Sequence, residues 1–219
     1  MLRVFCGDDG RGGNPLGVFL DPAGIDDEQA VAADLGFSET VFVHDAKRAE
    51  IRIFTPSVEL PFAGHPTVGA AWLLGAKVLR PPAGGLPARR EGDTAAVSAR
   101  PEWAPEFEFE RLDSPERVEA LDGPPGGHDA LGAWAWIDEA RGVLRERVFP
   151  VRYGIVEDEA TGAAAVRLAA LLGRALDIRQ GRGSRILARP LPDGMVEISG
   201  RVVLADVRPY SPAGQTIGG

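Results

Sequence analysis

The stretch Phe62-Ala63-Gly64-His65-Pro66-Thr67-Val68-Gly69-Ala70-Ala71-Trp72-Leu73-Leu74-Gly75 limits what this chain can fold into more than any other. Proline suits the first helical position, where its missing N–H is not needed. Pro66 therefore makes His65 the expected N-cap and Gly75 the expected stop. No charged residue occurs from Val68 to Leu74, and a helix that is apolar all round is buried all round. Its mouth opens instead with Gly64 and His65, a small residue and a polar one, leaving the first backbone N–H groups free to meet an anion. The expectation is a central helix aimed at a pocket.

A second stretch answers it. Glu157-Asp158-Glu159-Ala160-Thr161-Gly162 leads into Ala163–Leu172, where only Arg167 is charged, and Gly173 follows. The context repeats too: Arg52-Ile53-Phe54-Thr55-Pro56 precedes the first apolar helix, and Arg147-Val148-Phe149-Pro150 precedes the second. Upstream, a helix start at Asp26-Asp27-Glu28-Gln29 feeds Val41-Phe42-Val43, and one at Ser114-Pro115-Glu116 feeds Trp134-Ala135-Trp136-Ile137. Two halves of like order point to duplication, with the two buried helices facing each other. A site between the halves would be walled by two helix N-termini.

With 44% apolar residues, 219 residues can build a packed core, as one domain or as two small ones. A net charge of −8 with no basic stripe argues against a nucleic-acid partner. Cys6 is the sole cysteine; it leaves no disulfide framework and no Cys/His zinc spacing, which fits a reducing cytoplasm. No signal peptide precedes Val4, and no apolar run approaches the ~20 residues that cross a membrane.

From the start, Leu2–Cys6 reads as a strand and Gly7–Gly13 as a glycine-rich loop. Asn14-Pro15 then turns the chain into a second strand, Leu16–Leu20. The loop holds two carboxylates but lacks the ligand spacing and closing Glu of a calcium site, so no metal is expected. Asp26 can cap a helix to about Leu35, where Gly36 ends it. Glu39 follows among Phe37 and Phe42 at a loop-to-strand junction. Burial there would raise its pKa, as a general acid/base near neutral pH requires; the alternative is a solvated Glu with its methylenes on Phe42. His65 is equally open between a structural cap and a catalytic group, whereas His44 and His128 read as exposed and uninvolved. Residues 80–106, rich in Pro, Gly and Arg around the short strand Ala95–Ser98, form the boundary. Beyond the second buried helix, Ile178–Leu187 and Met195–Leu204 read as strands joined by a turn at Pro192-Asp193-Gly194. From Ser211 onward the chain reads as a tail.

Gly13-Asn14-Pro15-Leu16, Ser38-Glu39-Thr40, Phe54-Thr55-Pro56, Pro61-Phe62-Ala63-Gly64-His65-Pro66-Thr67 and Glu157-Asp158-Glu159-Ala160-Thr161-Gly162 stand in the order and context of the phenazine-biosynthesis PhzF-like family. The chain resembles that family densely over its first 75 residues and more thinly beyond. The resemblance implies an α+β, diaminopimelate-epimerase-like fold: two similar domains, residues 1–98 and 99–219, each a curved, mostly antiparallel sheet around a central buried helix. The last strand is allowed to return to the first half. It also implies a cofactor-free cytoplasmic isomerase, a homodimer, that moves a proton on a small carboxylated substrate. Glu39 falls on the family's acid/base carboxylate, His65 on its histidine and Asp158 on its second-half aspartate. Substrate contacts are expected from Asn14, Gly64, Thr67, Thr161, Gly162 and Ala163.

The chain departs from the family's usual pattern in several places. Glu159 stands in place of a proline, Ala163 in place of a serine whose hydroxyl could touch substrate, and Gly183 in place of the proline of a Gly-Arg-Pro-Ser motif. The chain is also shorter than usual. A different substrate is therefore expected, and a carboxylate-binding protein without turnover is the alternative.

Overall fold

A computed structural model describes residues 1–210; the expected tail from Ser211 lies outside them. The chain runs β1 (Leu2–Cys6), β2 (Gly12–Phe19), α1 (Glu28–Leu35), β3 (Thr40–Asp45), β4 (Glu50–Phe54), β5 (Glu59–Leu60), α2 (Gly64–Leu74) and β6 (Val78–Leu79). It continues β7 (Leu86–Glu91), β8 (Thr94–Ala99), β9 (Glu108–Arg111), α3 (Pro115–Glu119), β10 (Leu131–Asp138), β11 (Val143–Phe149), α4 (Gly162–Leu172), β12 (Leu176–Gln180), β13 (Ser184–Pro190) and β14 (Val196–Leu204).

The fold is α+β, with one large, mostly antiparallel sheet in the order β5-β4-β3-β2-β1-β14-β13-β12-β11-β10-β9. Strand β14 also pairs with β8, so this last strand touches β1, β8 and β13. The parallel pairs are β2–β3, β9–β10 and β11–β12. Parallel strands need a crossover, and α1, α3 and α4 supply the three. The pattern parallel pair, antiparallel strand, buried helix therefore occurs twice: β2–β3–β4 before α2, and β9–β10–β11 before α4.

Helix α2 is buried from Gly64 through Ala71, and α4 at every residue from Gly162 to Ala169 except Arg167. Gly75 and Gly173 end them in the left-handed conformation and donate back to Ala71 and Ala169, each at 3.0 Å. Sheet strands close on α2 at Gly69, where any side chain would meet Leu16 and Val4.

Several boundaries differ from expectation. The N-cap of α2 is Ala63, with His65 inside the first turn and Pro66 third; a proline there still forfeits no helical hydrogen bond, because the first four N–H groups have no partner. Asp27, not Asp26, caps α1, accepting from the Ala30 N–H at 2.9 Å. Asn14-Pro15 lies within β2 rather than at a turn, since the chain has already reversed where the Gly7 N–H donates to the Arg11 carbonyl at 2.8 Å. Leu86–Glu91, read as boundary, forms β7 against β8, with its Arg90 guanidinium lying 4.4 Å from the ring centre of Trp72. The expected strand Ile178–Leu187 breaks into β12 and β13, because Gly181 and Gly183 take positive φ values of 55° and 110°.

Candidate active site

Parallel pairing of Gly17 with Thr40 lays the end of the α1–β3 loop beside β2. It brings Ser38 and Glu39 next to Asn14, and the Ser38 hydroxyl donates to Asn14 Oδ1 at 3.2 Å. The first turn of α2 presents His65 to the same point: its Nδ1 lies 3.4 Å from Glu39 Oε2 and 3.4 Å from Asn14 Nδ2. From across the sheet comes the loop before α4, held to β11 by the Asp158 N–H on the Val148 carbonyl at 3.0 Å. Five of the expected site residues, Asn14, Glu39, His65, Asp158 and Thr161, converge here.

Asn14 joins β2 to the loop before α4. Its side-chain amide donates to Asp158 Oδ1 at 2.7 Å and to the Ala160 carbonyl at 3.1 Å. The other carboxylate oxygen of Asp158 accepts from the Thr161 hydroxyl at 2.7 Å. Gln180 on β12 completes the frame, accepting from the Thr161 N–H and donating to the Asp158 carbonyl, each at 2.9 Å.

These surroundings divide the titratable groups. Glu39 is 13% exposed and its Oε2 has no hydrogen-bond partner. Burial, and then the charge of Asp158, raise its carboxyl to about 8, against an opposing pull from Ser38. Asp158 is also raised by burial, to about 6, but the Thr161 and Asn14 hydrogen bonds hold it back. Burial drives His65 down to about 3, so its ring is neutral near pH 7. A neutral ring facing a protonated carboxyl makes an uncharged contact, not an ion pair. Its Nε2 has no partner.

The other expected residues serve differently. Gly64 and Gly162 meet backbone to backbone: a Cβ on Gly64 would collide with the Cα of Gly162. The two helix mouths thus touch, and only glycine permits it. Thr67 spends its hydroxyl on its own helix, donating toward the carbonyls of Ala63 and Gly64 at 2.9 and 2.8 Å. Ala163 is buried and brings no hydroxyl. Ser38 and Gln180 join the site beyond the contacts expected from the sequence. Gln180 shares the inward face of β12 with Leu176 and Ile178, and a polar residue continuing an apolar alternation is the signal that marks it.

Two open clefts share Asp158 in their walls. One, about 370 Å³, is lined by Asn14, Pro15, Phe37, Ser38 and Ile155; the other, about 500 Å³, by Glu119, Arg145, Arg147, Glu159 and Arg182. A larger cavity of about 550 Å³ against Phe19, Leu20 and Tyr210 contains none of the convergent polar groups. Among the described residues, no three His, Cys, Asp or Glu side chains gather as metal ligands. None of the described helices is long and apolar enough to cross a membrane.

A family profile for phenazine biosynthesis-like proteins, PhzC-PhzF, matches residues 3–119. The chain is 33% identical, over an alignment of 264 positions, to the trans-2,3-dihydro-3-hydroxyanthranilate isomerase of Pseudomonas aeruginosa, covering 90% of this chain and 94% of that one. An uncharacterized isomerase of Pasteurella multocida is 52% identical over 69 residues, which are 29% of this chain and 24% of that protein. Among solved structures, a PhzC/PhzF-type protein of Clostridium difficile superposes with a TM-score of 0.73 at 20% identity, covering 96% of this chain and 98% of that one. That likeness carries the fold and nothing more. A predicted epimerase of Pseudomonas aeruginosa has a TM-score of 0.65 at 25% identity, covering 94% and 95% of the two chains. The chain belongs to the phenazine biosynthesis-like family and is an isomerase of the PhzF type.

Proposed function

We propose that the chain moves a proton between carbons of a small carboxylated substrate without a cofactor, Glu39 taking the proton and returning it. The observation that carries this is the Glu39 carboxyl itself: buried, unpartnered at Oε2 and poised by its surroundings to change charge near pH 8. A base of that strength suits abstraction from carbon far better than an ordinary carboxylate. Ionised Asp158, clamped by Asn14 and Thr161, positions the substrate, and His65 faces the Glu39 oxygen as a neutral ring. The substrate reaches the site along the clefts beside Asp158. Its carboxylate faces the first-turn N–H groups of α2 and α4, which a helix leaves unpaired and which carry partial positive charge.

The test is to incubate dihydro-hydroxyanthranilate-like and amino-acid candidates in heavy water and follow deuterium entering at carbon. Wild type should exchange and isomerise, and Glu39→Gln should fold and bind while turning over ~10²–10⁴-fold more slowly. Equal exchange by both proteins would remove Glu39 as the base. Binding without exchange by wild type, over the whole set, would instead make this a carboxylate-binding protein.

A further inference from the structure

Next to Asp158, Glu159 closes a ring of hydrogen bonds through Ser184 and the Gly13 N–H. Its Oε1 accepts from the Ser184 hydroxyl and from the Arg182 N–H, both at 2.8 Å. The Ser184 hydroxyl in turn accepts from the Gly13 N–H at 2.8 Å. Gly13 precedes Asn14, whose amide donates to Asp158 Oδ1 at 2.7 Å, and Asp158 precedes Glu159. The ring thus runs Asn14, Asp158, Glu159, Ser184, Gly13 and back to Asn14, tying β2 to the start of β13 and to the loop before α4.

The backbone around it is shaped for the same closure. A Cβ on Gly12 would sit 2.7 Å from the Gly183 carbonyl carbon, and one on Gly7 2.6 Å from the Gly183 oxygen. A side chain on Gly181 would run into Glu159 itself. Gly183 holds φ at +110°, which no proline can adopt. Glu159 and Gly183, the two places where prolines of the family pattern are missing, are therefore both parts of one clasp: Gly183 lets the turn approach, and Glu159 holds it.

We infer that Glu159 is a positioning residue, which through Ser184 and the Gly13 N–H fixes Asn14 against Asp158 and so sets the distance between the two halves of the site. The inference rests on the proton-transfer reading for its kinetic consequence, but its geometry is readable without turnover. Carboxylate charge is not what the clasp needs. An amide oxygen accepts the same two bonds, so Glu159→Gln keeps the ring while Glu159→Ala and Ser184→Ala open it.

The experiment uses the full chain in these three variants, with two measurements. Amide hydrogen exchange by NMR reads the ring directly: Glu159→Ala should speed exchange at Arg182 and Gly13 and shift the Asn14 side-chain amide signals. Ser184→Ala should speed exchange at Gly13, and Glu159→Gln should leave all of these near wild type. Steady-state kinetics then read its use. Misplacement by about 1 Å can cost ~10²-fold, so kcat should fall roughly 10–100-fold in both alanine variants, with KM changed less than threefold and with rescue in Glu159→Gln. Unchanged exchange and Asn14 signals in Glu159→Ala would overturn the inference. So would altered exchange with an unaltered kcat, which would make the clasp structural only. If wild type turns over no candidate, the proton-transfer reading falls, and the Asn14 signals alone decide whether Glu159 positions that side chain.

Discussion

Asn14 Nδ2 and Asp158 Oδ1 lie 2.7 Å apart although 144 residues separate them in the chain. That bond keeps the two carboxyls of the site unlike: Asp158 is stabilised as an anion by Asn14 and Thr161, and its charge makes ionisation of Glu39 harder. Both carboxyls are therefore raised, Asp158 less and Glu39 more, and their two protonation steps belong to the pair, not to either residue alone.

If Glu39 begins the reaction as a base, kcat/KM should rise with pH through about 8 and then level off. Asp158→Asn removes the neighbouring negative charge, so that limb should move to lower pH, while positioning suffers and the plateau falls about 10-fold. A pH–rate profile of both proteins checks this. A limb that stays in place would mean that Asp158 does not act on Glu39 electrostatically.

The contact between Gly64 and Gly162 predicts asymmetric sensitivity at the helix mouths. On Gly162 a Cβ would stand 2.8 and 3.0 Å from the Gly64 Cα and carbonyl carbon and 3.0 Å from Ile198 Cδ1, of which only the Ile198 side chain can shift by itself. On Gly64 the overlap is deeper: a Cβ would meet the Gly162 Cα and carbonyl carbon and the Ala163 nitrogen, all backbone, and none can yield without moving α4. Gly64→Ala should therefore cost about 1–3 kcal/mol, or roughly 2–4 °C of Tm per kcal/mol in a chain of this size. Its activity should fall further than that of Gly162→Ala. Wild-type Tm values in both variants would place the mouths apart in solution.

Much of this was legible because local rules and tertiary packing agree. Helices α2 and α4 stand out as charge-poor runs closed by Gly75 and Gly173, and Ser114 caps α3 by accepting from the Arg117 N–H. The apolar neighbours of Glu39 fit a buried and a solvated carboxylate alike; Ser38-Glu39-Thr40, matching the family pattern, singled it out. The start of α2 could not, because contact with Gly162 brings Gly64 into the helix and leaves His65 in its first turn. Asn14-Pro15 reads locally as a turn; its place in β2 depends on Gly10, Gly12 and Gly13 having positive φ just upstream. Gln180 and Ser184 acquire their roles only from strand register and from the approach of two glycine turns, neither of which any short window of sequence contains.

Glu146 on β11 was not legible either, and it yields a prediction about stability. It is fully buried, its Oε1 and Oε2 have no hydrogen-bond partner, and it stands in register between Trp134 on β10 and Gln180 on β12. The adjacent Arg145 guanidinium favours the charged form but is engaged by Glu119 and by the carbonyls of Glu146, Arg179 and Gly181. Burial prevails and raises the carboxyl from 4.5 to about 8. Between those values the folded chain keeps a proton that the unfolded chain releases. Stability from this group is therefore fullest below 4.5, falls as pH rises by up to about 1.4 kcal/mol per unit, and levels off above 8. Glu39 adds a slope of the same sign. Glu146→Gln removes only the Glu146 contribution, so urea melts of both proteins from pH 5 to pH 8 isolate it. Relative to wild type the variant should gain roughly 2–4 kcal/mol across that range, whatever its offset at pH 5 from burying an unpaired amide. A difference that stays constant with pH would show that Glu146 ionises inside the fold as it does outside.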